Sequence, residues 1–306
     1  MQSTPGVEIP PFVEPTLGSP TVAYSEWRLI WRSFRQDKLA LIGLAIITIF
    51  ILGAIFAPLL TPYPEQGRGD PNILEKFKPP SVTHPLGTDY LGRDVLARVL
   101  YGGRSSLSMG FLVVIIAVLI GVPLGAIAGY LGGWVDEIIM RTTDVFMAFP
   151  SLLLALAIAS ALGAGFTNTM IAIAVTWWPW YTRLVRSQTL SLRERFFIEA
   201  ARSIGLPGHK IILTHVLPNV MTPVWVQATL DLGSAILISA ALNFVGLGVQ
   251  PPAADWGNMV SQGRLYFIER PWFAGAAGVA IFLTVLAFNF IGDALRDAAD
   301  PYLRRT

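Results

Sequence analysis

The chain has 306 residues, 53% of them hydrophobic and only 14% charged, with a mean hydropathy of +0.57. A soluble domain carries about 25% charged residues, so this composition excludes an ordinary soluble domain and points to a bilayer protein. The net charge of +2 is too small for a nucleic-acid footprint and suits basic loops on one membrane face; with no cysteine, disulfides, Cys-ligated zinc and thiol nucleophiles are excluded, and His84, His209 and His215 are too scattered for a metal cluster.

Residues 1–25 hold Pro5, Pro10, Pro11, Pro15 and Pro20 with little apolar pattern. That composition predicts a disordered tail, with partner docking as the alternative. Residues 25–38 place Trp27, Ile30, Trp31 and Phe34 at helical spacing, with Arg28, Arg32, Arg35 and Lys38 between them. The pattern predicts an amphipathic helix on the inner membrane surface. The first apolar run begins at Leu39 and lasts about 22 residues, longer than the core of about 7–15 residues in a cleavable signal, and reads as a retained span.

A span needs about 20 apolar residues. Six segments are expected to cross: 39–60, 107–130, 145–162, 169–186, 222–246 and 272–292. The third and fourth carry Pro150 and Pro179, which membrane helices tolerate when neighbours satisfy the freed carbonyl. Small residues recur in the second span at Gly110, Gly121, Gly125, Ala126, Ala128 and Gly129, as close helix packing requires. With the N-terminus inside, fourteen of the 22 Lys and Arg fall on the inner side and eight on the outer, which places both termini in the cytoplasm. The outer segments, 61–106 and 247–271, are long and rich in turn residues, as a docking platform would be. The amphipathic part from Asp89 to Leu107 is expected to lie along the outer face ahead of the second span.

Residues 195–219 read RFFIEAARSIGLPGHKIILTHVLPN and face the cytoplasm in this topology. Phe197, Ala200 or Ala201, and Ile204 share one helical face. Gly205 suits a left-handed helix cap and Pro207 the first turn of a second helix, which Pro218 is expected to stop. Two readings fit: a docking helix whose apolar face enters a partner's groove, or an amphipathic linker resting on lipid headgroups.

Polar residues inside the spans form a second candidate site. Asp231 lies near the middle of the fifth span. A charge there costs about 2.5–3.5 kcal/mol on insertion scales, so it must face protein or water. It is either a translocation-path residue or an interhelical hydrogen-bond partner. Ser234, Ser239 and Asn243 continue the polar character, while Asn289 and Asp293 sit near the inner end of the sixth span, where a structural role fits better. Trp177, Trp178 and Trp180 surround Pro179 and serve either as packing or as a wall touching the transported molecule. Asp231, Ser234 and Trp178 are the candidate path residues.

The stretch EAARSIG…LPN resembles the EAA motif of permease subunits of binding-protein-dependent ABC importers. Glu199, Ala200, Ala201, Arg202, Gly205, Leu217 and Pro218 occupy motif positions, while His215 stands where the general pattern has Ile, a departure similar to the peptide-transport branch. GTDYLGRDVLARVLYGGRSSL, NFVGLGVQPPAADWGNMV and AIFLTVLAFNFIGDALRDAADP resemble the C-type permease of dipeptide, oligopeptide or nickel importers. The resemblance implies an all-α polytopic membrane protein with six transmembrane helices in the type I (MetI-like) permease fold, preceded by an amphipathic helix. It implies a tail over 1–25, an amphipathic helix with first span and extracytoplasmic segment over 26–106, a permease core over 107–293 and a cytoplasmic tail over 294–306. The implied partners are a homologous B-type permease in a heterodimer, two ABC ATPases that bind ATP and magnesium, and an extracytoplasmic substrate-binding protein. Short peptides are the leading substrate class, ahead of nickel chelates and glutathione. This chain would itself be non-catalytic, with no cofactor of its own.

The sequence contains no G-x-x-x-x-G-K-[ST], and none of its four lysines follows a glycine. It therefore has no phosphate-binding P-loop of its own. The rival readings are an ion-gradient transporter, which would want paired buried acids or repeated broken helices, a membrane hydrolase, for which neither H-E-x-x-H nor G-x-S-x-G occurs, and a channel or scaffold without energy input.

Overall fold

The computed structural model describes residue 31 and residues 34–299; among them the chain is helical, with a single isolated bridge between Thr88 and Asp94 and no strand. The expected tail over 1–25, and Trp27 and Ile30 of the amphipathic segment, lie outside the described residues.

Helix α1 (Lys38–Ile55) begins where the Asp37 carboxylate accepts the amide N–H groups of Leu39 and Ala40 at 2.8 and 3.3 Å, the N-cap role of a short acid. Two short helices follow, α2 (Ala57–Leu60) and α3 (Pro64–Arg68), each with proline in its first turn, where the missing N–H has no partner to lose. Helix α4 (Val95–Leu131) is unbroken over 37 residues, about 56 Å. This corrects two expectations. The part from Val95 to Leu107 continues the second span along its own axis instead of lying on the membrane face, and the boundary at 106/107 falls inside a helix. The physical reason is that protein covers the face that lipid was expected to cover. Trp256 is fully buried against this segment and its indole N–H donates to the Val99 carbonyl at 2.9 Å.

The expected third span over 145–162 is also corrected. It is two helices, α5 (Gly133–Met147) and α6 (Ser151–Leu162), meeting at 87° across Ala148–Pro150. Proline disfavours helical conformation in the residue before it and cannot donate, so the helix ends there. Helix α7 (Phe166–Arg193) has 28 residues, about 42 Å. Next come α8 (Phe196–Ser203), α9 (Gly208–Ile211), a π turn (Ile212–Val216) and α10 (Leu217–Val245). Pro218 does not stop the helix as expected. The π turn lets Leu217 N–H donate to the Ile212 carbonyl, and the Asn219 amide takes up the His215 carbonyl at 2.6 Å. Gly208–Val245 is thus one helical run of 38 residues. The chain closes with α11 (Trp256–Gly263) and α12 (Pro271–Ala299), so the last helix reaches six residues past 293, where the tail was expected to begin.

Among the described residues, α1, α4, the run Gly208–Val245 and α12 are long and apolar enough to cross a membrane, and the bent pair α5–α6 makes a fifth if it counts as one span. α7 falls short in hydropathy because it carries Thr176, Thr182, Arg183, Arg186 and Gln188.

Close packing sets the helix directions. A Cβ on Gly121 would meet the Trp178 carbonyl at 2.6 Å, one on Gly125 the Thr182 carbonyl at 2.4 Å, and one on Gly129 the Arg186 carbonyl at 2.9 Å. Steps of four on α4 match steps of four on α7, so the two run parallel with backbones in near contact. The start of α7 is fixed at the end of the bundle that carries residues 61–94 and 247–271, since the Gly165 N–H and Thr169 hydroxyl both donate to the Leu247 carbonyl, at 3.0 and 2.9 Å. The pair α5–α6 therefore carries the chain back from the far end of α4 to the near end, where α7 starts. At the far end Phe34, Ala40 and Ala294 form one buried cluster, which brings the first and last described helices together.

The two long loops interlock. Arg98, 2% exposed, donates to the carbonyls of Gly67, Pro252 and Ala253 at 3.3, 2.8 and 3.3 Å. Arg93 pairs with Asp89 at 2.7 Å, both buried. Ser106 donates to Asp255 at 2.7 Å, and burial pushes the Asp255 carboxyl up from its ordinary range.

Candidate functional site

The first candidate is the stretch around α8. Arg195 enters in extended conformation, and Gly205 leaves with φ +79°, the left-handed value that glycine adopts without steric cost. The Leu206 N–H reaches back to the Ala201 carbonyl at 3.1 Å and the Gly205 N–H to Arg202 at 2.9 Å, closing the helix as a Schellman cap does. The two faces of α8 then separate. Ile198 and Ala201 are buried in the main core, which they share with Tyr130, Val185 and Ile211. Phe196 at 90%, Phe197 at 43% and Ile204 at 76% remain exposed, as do Glu199 and Ala200. Of the two alanines at this position, Ala200 faces outward and Ala201 inward. Arg202 is held by Tyr130 at the end of α4: its Nε donates to the phenol oxygen at 3.3 Å and its guanidinium lies 4.9 Å from the ring centroid. With Glu199, Arg193 and Glu194 it borders a polar recess. Leu217 is half-buried and Pro218 exposed at the head of α10.

The second candidate is a cavity of about 630 Å³ between α6, α7 and α10, beside the α5–α6 bend. That volume is within the about 300–1,000 Å³ of small-molecule sites. Asp231 and Ser234 line it, together with Trp177, Trp180, Arg183 and Gln227. Trp178 is placed elsewhere: it is buried, packs edge-on against Phe146 with centroids 5.4 Å apart, and does not line the cavity. The helix turns about 100° per residue, so its two tryptophan neighbours face the space that it cannot. Asp231 accepts the Tyr181 hydroxyl at 2.7 Å and the Gln227 amide at 2.9 Å. Ser239 and Asn243 are buried further along α10, where Asn243 accepts the Val249 N–H at 2.5 Å and ties down the following turn.

Gln227 was within reach of the sequence, since it lies four residues before Asp231 on one helix face. Tyr181 gave no such signal, because only the crossing of α7 over α10 brings it to the acid; the same crossing sets Arg183 in the cavity wall. Two ion pairs flank the cavity. Arg186 holds Asp136 of α5 through two contacts of 2.5 and 2.6 Å, and Arg183 holds Asp144. They clasp α5 to α7 on the α5 side of the bend. Among the described residues no cluster of His, Cys, Asp and Glu is placed to hold a metal ion.

A bundle of long apolar helices, with a short amphipathic helix presented at one end, defines an all-helical membrane protein. Residues 121–305 match the family described as "Binding-protein-dependent transport system inner membrane component", and residues 25–80 match "N-terminal TM domain of oligopeptide transport permease C". The chain belongs to the family of binding-protein-dependent transport system inner membrane components. It is 46% identical over 299 residues to the dipeptide transport system permease protein DppC of Alkalihalophilus pseudofirmus, covering 96% of this chain and 97% of the relative. It is 42% identical to the probable D,D-dipeptide transport system permease protein DdpC of Escherichia coli, over 90% and 91%. The glutathione transport system permease protein GsiD of the same species is also 42% identical, over 94% of each chain. Among solved structures, a chain of the methionine ABC transporter MetNI in an inward-facing conformation superposes with a TM-score of 0.54 at 20% identity, covering 66% of this chain and 97% of that one. At that identity the likeness speaks to the fold alone.

Proposed function

We propose that this chain is the permease subunit that forms half of the translocation path of an ATP-driven importer of short peptides. Its α8 helix docks into a cytoplasmic ATPase. The observation that carries this reading is the division of α8 into two faces. Ile198 and Ala201 fasten it to the bundle, while Phe197, Ala200 and Ile204 present apolar surface with no cover among the described residues. An exposed apolar helix face is the kind of surface a partner's groove takes up, and Glu199, Ala200, Ala201, Arg202, Gly205, Leu217 and Pro218 fit the motif that does this in importer permeases. Peptides are favoured as cargo because the relatives at 46% and 42% identity are named for dipeptide and glutathione transport, and glutathione is itself a short peptide.

Six crossings, with both termini in the cytoplasm, follow from taking α7 and the bent pair α5–α6 as spans. The parallel seam of α4 and α7 supports this, as does the cluster of Phe34 with Ala294. A homologous B-type permease completes the path, two ATPases bind ATP and magnesium and do the hydrolysis, and an extracytoplasmic binding protein delivers the cargo to the interlocked loops. Closure of the ATPases on ATP moves α8, and the bundle opens toward the binding protein. Asp231 and Ser234 line the path; Trp177 and Trp180 replace Trp178 as its aromatic wall.

Co-purification tests the reading. The native chain, tagged, is expected to retain its ATPases in detergent. Glu199→Arg combined with Ile204→Asp, both at exposed positions, is expected to lose them while its melting temperature stays unchanged. Equal retention by both would move the docking site elsewhere, and no ATPase on the native chain would return the ion-gradient transporter to the front.

A further inference from the structure

The central cavity contains a carboxylate without a counter-charge. Both partners of Asp231, the Tyr181 hydroxyl and the Gln227 amide, are neutral donors. Among the described residues no Lys, Arg or His nitrogen forms an ion pair with it. Arg183 lines the same cavity but is engaged by Asp144. An acid in the middle of a membrane bundle requires water, a proton or a cation, and in transport proteins such residues mark the route of the cargo. A carboxylate has about four acceptor positions, and two donors leave the remainder turned to the cavity. The indoles of Trp177 and Trp180 line that space, and indole faces attract cations. Ser234 adds a hydroxyl acceptor one helical turn from the acid.

We propose that this cavity is a transit subsite for the α-ammonium group of a short peptide, with Asp231 as its counter-ion and the two tryptophans as its walls. The inference rests on the reading of the chain as a peptide permease and adds which end of the cargo the chain itself recognises. The site takes cationic amines, and a peptide blocked at its N-terminus loses the contact.

The absence of native cysteine in this chain allows a direct test on the assembled complex, with labelling read on this subunit alone. Ser234→Cys is reacted with a trimethylammonium thiosulfonate and with a sulfonate thiosulfonate of similar size, each rate taken relative to a free thiol. The cationic reagent is expected to react about tenfold faster or more, the size of effect a charged cleft has on association. Adding Asp231→Asn is expected to level the two rates, and Asp231→Glu to keep the preference. A dipeptide with a free amine should slow labelling of Ser234→Cys and its N-acetyl form should not. Equal rates with Asp231 present, or a preference that survives Asp231→Asn, would overturn the proposal. Dipeptide uptake by the native complex in vesicles is measured in parallel. Uptake without cation preference defeats this subsite alone; no uptake defeats the peptide-permease reading and the subsite with it.

Discussion

His84 is 1% exposed and bridges two carboxylates, Asp94 at 2.9 Å through Nδ1 and Glu75 at 3.1 Å through Nε2. Asp94 also caps α4 by accepting the Ala97 N–H at 2.7 Å, so the histidine joins a loop of the outer segment to the start of the longest helix. Glu75 is the half-buried end of this chain of contacts. The Lys78 ammonium at 2.8 Å, more than any other neighbour, holds its carboxyl below the usual carboxylate range. A carboxyl depressed in the folded state contributes stability above its unfolded value and loses it as pH falls through the lowered folded value. Glu75→Gln is therefore expected to melt below the native protein near neutral pH, and the gap should close on acidification past that point, as read by thermal unfolding across a pH series. A gap that widened on acidification would reverse the assigned sign. Arg93 and Arg98 make a second point at this scale. In a count of basic residues they weigh against the topology, yet both are 2% exposed and spent on internal contacts, so they are not free loop charges and the bias toward the inner face is stronger than the count of fourteen to eight suggests.

At the scale of elements the seam between α4 and α7 is the most constrained contact in the bundle. Gly125 has the least room, with the Thr182 carbonyl at 2.4 Å and Val185 Cβ at 2.8 Å from any added Cβ. Neither a backbone carbonyl nor a β-branched neighbour on a helix can swing aside, so the helices must separate. Gly125→Val is expected to lower stability by about 1–3 kcal/mol, the range for overpacked cores, and to reduce the folded yield from membranes. Gly275→Ala on α12, where nothing lies within 4 Å, should melt as the native protein does. Similar melting of both variants would mean that the seam yields. The run of small residues was visible in the sequence as a sign of close packing. Which helix it packs against was not, because small side chains mark a close approach without naming the partner, here α7. Its Thr176 and Thr182 hydroxyls donate to the Ile173 and Trp178 carbonyls of their own helix at 2.8 and 3.0 Å, and so present little polarity to their neighbours.

At the scale of the whole molecule, the number of crossings decides the topology. Arg98, at the start of α4, donates to both Gly67 and Pro252 and ties the loops 61–94 and 247–271 to one end of the bundle, so an even number of crossings must separate them. The pair α5–α6 and helix α7 therefore cross together or not at all. Single cysteines resolve this against the cysteine-free background. Val82→Cys and Ile268→Cys, both about fully exposed at 101% and 98%, are expected to react with a membrane-impermeant maleimide added outside intact cells. Ser203→Cys, on α8, should react only after the membrane is opened. Leu162→Cys, 48% exposed at the turn between α6 and α7, separates six spans from four. Reaction from outside means that α5–α6 and α7 cross; reaction only after opening makes them a re-entrant element of the inner side and leaves four spans. Labelling of Ser203→Cys from outside would overturn both.

The sequence by itself determined the class of protein, the existence of the strongest apolar spans and the helix, glycine cap and second helix of the motif stretch. Each of these is local: burial in lipid needs only a run of apolar side chains, and Gly205 and Pro207 act through their own backbone angles. Asp231 stood out for the same reason, as one charge in an apolar run. Only the tertiary structure decided where helices begin and break and what surrounds the acid. Val95–Leu107 extends a span because Trp256, far along the chain, covers it. Pro218 sits within a helix because a π turn and Asn219 satisfy the backbone it disrupts. Trp177 and Trp180 line the cavity while Trp178 does not, because the crossing of α7 with its neighbours selects one face of a helix whose residues are alike in the sequence.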